Sequence, residues 1–156
     1  MAFHIVLVEP EIPPNTGNIA RSCAATGAHL HLVKPLGFSI EDKQLKRAGL
    51  DYWPFVTLTV HENLVEFLEA FAGARMYLAT TKGTQRYTDV DYRDGDMILF
   101  GREQAGLPRD LIEQHKDRAI RIPLSADTRL RSLNLANSVN IILFEALRQN
   151  GFPDLE

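Results

Sequence analysis

The chain has 156 residues, 45% hydrophobic and 24% charged, with a formal charge of −3. That fits one domain, 1–156, with an ordinary soluble composition and room for a real core. The acidic balance argues against a protein that grips nucleic acid by bulk charge, and the single cysteine, Cys23, excludes an internal disulfide and fits a reducing, cytoplasmic compartment. No basic-then-apolar leader opens the chain and no apolar run reaches membrane-spanning length, so neither a signal peptide nor a membrane partner is expected.

Phe3 to Val8, rich in Ile and Val, reads as a buried strand. Pro13-Pro14 punctuates, and a helix is predicted from about Thr16 to Thr26 with Gly27 as its C-terminal cap. His29 to Val33 is a second strand, Glu41 to Ala48 a short helix and Phe55 to Val60 a strand. Leu64, Val65, Leu68 and Phe71 mark a helical stripe within Glu62 to Phe71. Arg75 to Thr80 and Met97 to Phe100 read as strands, and the polar Lys82 to Asp96 between them as a long loop. Pro108 opens another helix, Ala119 to Ile122 is the last strand, and a final helix runs from about Asn134 to Gln149. Strands alternating with helices imply an α/β fold, a mostly parallel sheet with helices on both faces. Ligands of such sheets gather beyond the strand C-termini.

Three segments sit at predicted strand ends: Asn15 to Arg21, Leu99 to Pro108, and Ile122-Pro123-Leu124 running on to Ser132 through Val139. Each joins an apolar run to a Gly- or Asn-rich turn, where bare backbone amides can hold a polar ligand. Asn18 and Arg21 fall on one helix face, with Ile19 and Cys23 directed to the sheet. A surface arginine and a capping asparagine would give the same pattern. Gly101 either serves an ordinary strand–turn–helix connection or lets a ligand approach the backbone closely. Asn134, Asn137, Ser138 and Asn140 exceed what capping one helix requires. Gly-x-Gly-x-x-Gly, the phosphate-binding Gly-Lys-Ser/Thr loop and Gly-x-Ser-x-Gly are absent, which counts against dehydrogenases, nucleotide triphosphatases and serine hydrolases. The five histidines are scattered and no metal is expected. Lys43, Lys46 and Arg47 at helical spacing, with Arg129 and Arg131, are candidate basic patches or a solvated surface. In the final helix Val139, Ile142, Leu143, Ala146 and Leu147 form one stripe, and Ile141 and Phe144 lie off it. The second apolar face meets either the monomer core or another subunit.

In this order the three segments resemble the SPOUT class of methyltransferases. The likeness is greatest to its small single-domain members that methylate the ribose 2′-hydroxyl of the tRNA wobble nucleotide. Ile5 through Asn18, Arg47 through Tyr52 and Thr80 through Thr84 carry it as well, so it spans nearly the whole chain. The resemblance implies a C-terminal deep trefoil knot, a rare exception to ordinary chain connection. It implies S-adenosylmethionine bound largely through backbone by Ala79, Thr80, Gly101, Glu103, Ile122, Leu124, Ser132, Leu133 and Asn134. It implies Arg21 as the catalytic arginine beside the target ribose of a cytidine or modified uridine. The tRNA anticodon stem-loop would be the partner, with Asn18, Lys43, Lys46 and Arg129 as candidate RNA contacts. It further implies a homodimer through the C-terminal helix. The chain departs from the family's pattern in two places. Asp127 to Asn134 is about two residues longer, and Phe144 stands where relatives often have tyrosine. Rival readings are another tRNA or rRNA ribose as target, and a module that holds S-adenosylmethionine without transferring its methyl group. An intact Asn15 to Arg21 argues against the second.

Overall fold

A computed structural model describes residues 1–48 and 52–156, so Gly49, Leu50 and Asp51 of the Arg47–Tyr52 motif lie outside the described residues. Strand β1 (His4–Val8) leads into helix α1 (Pro13–Thr26). The helix begins three residues before the predicted start. Pro13 and Pro14 occupy its first turn, where missing amide hydrogens cost nothing and a fixed φ already suits the helix. Ile12 is therefore the N-cap residue, and Asn18 lies mid-helix as an exposed side chain rather than as a cap. Gly27 closes the helix at φ 76°, the left-handed conformation glycine adopts without strain.

Strand β2 (His29–Val33), α2 (Lys43–Ala48), β3 (Leu58–His61), α3 (Leu64–Ala70) and β4 (Met76–Ala79) follow. Then come β5 (Gln85–Arg86), β6 (Met97–Phe100), α4 (Arg109–Gln114), β7 (Ala119–Arg121) and α5 (Leu135–Gln149). Helices α2 and α3 each begin two residues later than predicted, and two larger differences follow. The strand expected over Phe55–Val60 starts at Leu58, because Trp53–Phe55 forms a 3-10 turn with Pro54 inside it and the Phe55 amide donating to the Tyr52 carbonyl at 2.9 Å. The predicted loop Lys82–Asp96 contains β5, which at two residues is too short to show a hydrophobic period.

The sheet order is β3-β2-β1-β6-β4-β7-β5, and every described strand pair is parallel. Inserting β6 between β1 and β4 brings the C-terminal ends of β6, β4 and β7 side by side. Alternate residues of β1 serve the two faces. Ile5 and Leu7 join Ile19, Ala20 and Cys23 of α1 and Val139, Ile142, Leu143 and Ala146 of α5. Val6 and Val8 join Phe67 of α3 and Leu107 and Leu111 around α4. Helices thus cover both faces, as the alternating pattern predicts.

On the α3 face His4, His31 and His61 form a chain across β1, β2 and β3. His4 Nδ1 meets His31 Nε2 at 2.8 Å, and His31 Nδ1 meets His61 Nε2 at 3.0 Å. Phe67 and Phe71 pack edge-on against the middle ring. His31 is 3% exposed, and burial, with the neighbouring histidines, pushes its pKa down to about 3. The sign follows from proton counting. Above the ordinary histidine value of 6.5 both states hold His31 neutral. Below it the unfolded chain binds a proton that the folded chain refuses, so stability falls as pH drops from 6.5 toward 3. Between pH 6.5 and 5 this costs about 2 kcal/mol from His31 alone. Urea unfolding across that range should show the slope, and His31→Gln should flatten it; an unchanged slope in the variant would refute the assignment.

Candidate active site

The segments leaving β4, β6 and β7 wall a cleft of about 410 Å³. Ala79 to Lys82 form one wall, Phe100 to Leu107 a second, Ile120, Ile122 and Leu124 a third, and Arg131 to Leu133 with Ser138 of α5 close it. Ile112, Ile120, Ile122, Leu124, Leu133 and Ile142 give it an apolar interior. Turn backbone and a few hydroxyls give the polar edges, a balance suited to a small organic ligand with a flat apolar part.

Eight of the nine residues expected around the cofactor line this cleft: Ala79, Thr80, Gly101, Glu103, Ile122, Leu124, Ser132 and Leu133. Asn134 is not among the lining residues. It caps α5, its Oδ1 accepting from the Asn137 amide at 3.2 Å, and its Nδ2 donates to Asn15 Oδ1 at 3.1 Å. This bond ties the start of α5 to the first turn of α1.

Glu103 has a task the sequence did not disclose. Its carboxylate accepts from the Glu11 amide at 2.8 Å and the Ile12 amide at 3.0 Å, at the start of α1. A carboxylate at that end satisfies bare donors and meets the positive end of the helix dipole. Next to it, Arg102 Nη2 bonds Glu9 Oε1 at 2.5 Å, and Glu9 holds its carboxylate there from a left-handed φ of 55°. The turn after β6 is thereby stitched to the loop before α1. The partners stand 91 to 93 residues apart, so no local pattern announces them.

Gly101 is needed for a reason within the fold itself, whatever ligand it also meets. A Cβ there would intrude on the carbonyl carbon of Gly106 and the amide of Leu107, and would lie 2.5 Å from the Gly106 oxygen. The turn folds back on itself: the Gly106 amide donates to the Arg102 carbonyl at 3.0 Å and the Arg102 amide to the Gly106 carbonyl at 3.3 Å. The chain's own backbone makes the close approach.

Arg21 is exposed on α1 and is not among the cleft-lining residues. Its guanidinium carbon lies 4.6 Å from the centre of the Tyr52 ring. Asn18 is exposed one turn earlier, and Lys43 and Lys46 are exposed on α2, which packs against α1. Lys46 pairs with Glu41 at 2.5 Å. Arg129 stands apart on the Thr128–Leu130 3-10 turn, both sides of its fork on Asp127 at 2.7 and 3.0 Å. Hydrogen bonds from Arg129 hold the Asp127 carboxyl below the usual carboxylate range. Among the described residues no group of three or more His, Cys, Asp or Glu has the geometry to hold a metal ion. Nor is any described helix long and apolar enough to cross a membrane.

A parallel sheet clothed on both faces, with a ligand-sized cleft of folded-back turns at its C-terminal edge, places the chain among α/β proteins whose ligand sites lie beyond the strand ends. Within that class the chain belongs to the SpoU rRNA Methylase family, whose model matches residues 2–144. It is 52% identical to a tRNA (cytidine(34)-2'-O)-methyltransferase of Methylovorus glucosotrophus, over 96% of this chain and 97% of that one. Among solved structures it superposes with a TM-score of 0.90 and 44% identity, over 96% of each chain, on one described as "Structural insights into the 2-OH methylation of C/U34 on tRNA". The SpoU methyltransferase AviRb of Streptomyces viridochromogenes, solved with AdoMet, matches at TM-score 0.83 and 25% identity over 94% of this chain and 57% of that one.

Proposed function

We propose that the protein transfers a methyl group from S-adenosylmethionine to the ribose 2′-hydroxyl of the wobble pyrimidine, cytidine or modified uridine, in the tRNA anticodon loop. The carrying observation is the joining of two parts. A cleft of about 410 Å³ lies beyond β4, β6 and β7, and its own turn residue Glu103 caps the helix that presents Arg21. Relatives named for this reaction, at about half identity over nearly the full chain, support it.

The cleft fits the methyl donor. Its apolar walls suit an adenine ring, and the backbone of the Gly101–Leu107 turn offers polar groups along one edge. When bound, S-adenosylmethionine supplies an electrophilic methyl on a sulfonium, which needs no metal to be activated. The residues proposed to hold it are Ala79, Thr80, Gly101, Ile122, Leu124, Ser132 and Leu133, with Glu103 and Asn134 acting through the helix starts they cap.

A guanidinium is a poor base in proteins, so the work proposed for Arg21 is to orient. Its planar fork can hold a phosphate or ribose oxygen of the target nucleotide while the 2′-hydroxyl gives up its proton. Asn18, Lys43 and Lys46 would line the RNA path beside it. Arg129 would join with the donors that its pairing with Asp127 through Nε and Nη2 leaves open.

The same reading includes a homodimer through α5. Phe144 is 45% and Ile141 36% exposed, on a helix whose other face is buried in the monomer. An apolar face left bare on a long helix supports a second subunit covering it. The reading also includes a deep trefoil knot in the C-terminal segments, supported by the likeness to SpoU structures. A cytoplasmic setting is compatible with Cys23, whose thiol is buried and pushed up to about 12, away from redox reactivity.

The test is transfer of labelled methyl from S-adenosylmethionine to undermodified bulk tRNA, with the product nucleosides mapped. A 2′-O-methylated pyrimidine at the wobble position is the expected product. Label elsewhere in tRNA or in rRNA would reassign the target. No transfer with tight S-adenosylhomocysteine binding would leave a binding module.

A further inference from the structure

Among the described residues, four of the chain's twelve arginines are tied to carboxylates. Arg75 is held by Asp96, Arg102 by Glu9, Arg129 by Asp127 and Arg148 by Glu145. Arg21 is not one of these four; like Arg118, which lies over Tyr77 at 5.3 Å, it sits over an aromatic face. Among the described residues no carboxylate pairs with it, and its guanidinium lies over the face of Tyr52 at 4.6 Å.

The chemistry of the two arrangements differs. A carboxylate occupies guanidinium N–H donors and cancels the charge. An aromatic face attracts the cation through the ring quadrupole and leaves the donors at the guanidinium edge open. A stacked arginine is therefore both held in place and ready for an incoming anion. Tyr52 can serve as such a face because its backbone is anchored. Its carbonyl accepts from the Phe55 amide at 2.9 Å, and the neighbouring Trp53 packs against the core cluster that includes α1. The ring that holds Arg21 is thus fixed to the body that carries Arg21.

We infer that Tyr52 is a positioning residue for the methyl transfer: its ring face aims the Arg21 guanidinium and keeps its hydrogen-bond fork free for the target nucleotide. The inference rests on the proposed role of Arg21. Positioning of this kind acts on the chemical step, because loss of alignment costs rate more than ground-state binding.

The experiment compares Tyr52→Leu, Tyr52→Phe and Arg21→Ala in steady-state transfer to undermodified tRNA, with melting temperature and S-adenosylhomocysteine affinity measured on each. Tyr52→Leu should lower kcat about tenfold with KM for S-adenosylmethionine unchanged. Tyr52→Phe should restore at least about half the rate, since a phenyl face also attracts the cation. Parental kcat in Tyr52→Leu overturns the inference. So does Tyr52→Phe failing as badly as Tyr52→Leu, which would assign the effect to the hydroxyl. Should Tyr52→Leu not fold, NMR of the unaltered protein decides: ring-current-shifted Arg21 side-chain protons support the stack, and random-coil positions overturn it. A fully active Arg21→Ala would instead sink the reading on which the inference rests.

Discussion

Arg21→Ala lowers methyl transfer to tRNA by about 10³-fold while leaving the melting temperature and the affinity for S-adenosylhomocysteine unchanged. The rate loss follows from removing a preorganised cation whose fork meets the reacting nucleotide, a class of contribution worth about 10² to 10⁵ in comparable enzymes. The unchanged binding follows from position, because Arg21 is not among the residues lining the cleft. The unchanged melting follows from exposure: the side chain lies on the outer surface of α1 and joins no apolar cluster. Single-turnover transfer, calorimetry and thermal melting read the three quantities separately. A loss of cofactor affinity equal to the loss of rate would show that Arg21 props the cleft rather than serving the ribose. Normal turnover would remove it from the reaction altogether.

The second large effect is expected at Gly101. Gly101→Ala places a methyl group against backbone, the Gly106 carbonyl and the Leu107 amide, and neither can swing aside as a side chain would. The turn must open, which breaks the paired bonds between Arg102 and Gly106. Arg102 and Glu103 move with it, so the Glu9 ion pair and the cap on the Glu11 and Ile12 amides are lost together. The expected cost is about 3 kcal/mol of folding stability, at the upper end for overpacking a tight site. S-adenosylhomocysteine affinity should fall by more than about tenfold, since Gly101 to Leu107 wall the cleft. Urea titration and calorimetry measure both. Parental affinity in a stable Gly101→Ala protein would mean that the turn can relax and that the back-folded geometry is dispensable.

The strand and helix order was legible because each element carries its own period. Ile19 and Cys23 announce their face by spacing alone, and helices do cover both sides of the sheet. The element starts that moved furthest are those set by proline chemistry, at Pro13-Pro14 and Pro54, where the ring's missing donor and fixed φ decide which backbone state begins. The positions of Ala79, Gly101 and Ile122 at strand ends were likewise visible, because apolar runs stop there and glycine or polar residues follow.

What could not be read locally is everything that depends on which strands become neighbours. The insertion of β6 between β1 and β4 assembles the cleft, and no residue in β6 encodes that order by itself. Glu103 lines the cleft and also caps α1; Asn134 and Asn15 share a bond across 119 residues. The sequence by itself determined the alternation of strands and helices and the strand-end placement of the turns, because side-chain period and backbone preference act within a few residues; Arg21 was singled out by the family resemblance, not by its local pattern. Only the tertiary structure decided the reason for Gly101, the tie between cleft and Arg21 helix, and the ring beneath Arg21. Those depend on atoms brought together by sheet order, whose free energy is shared among distant segments rather than held in any one.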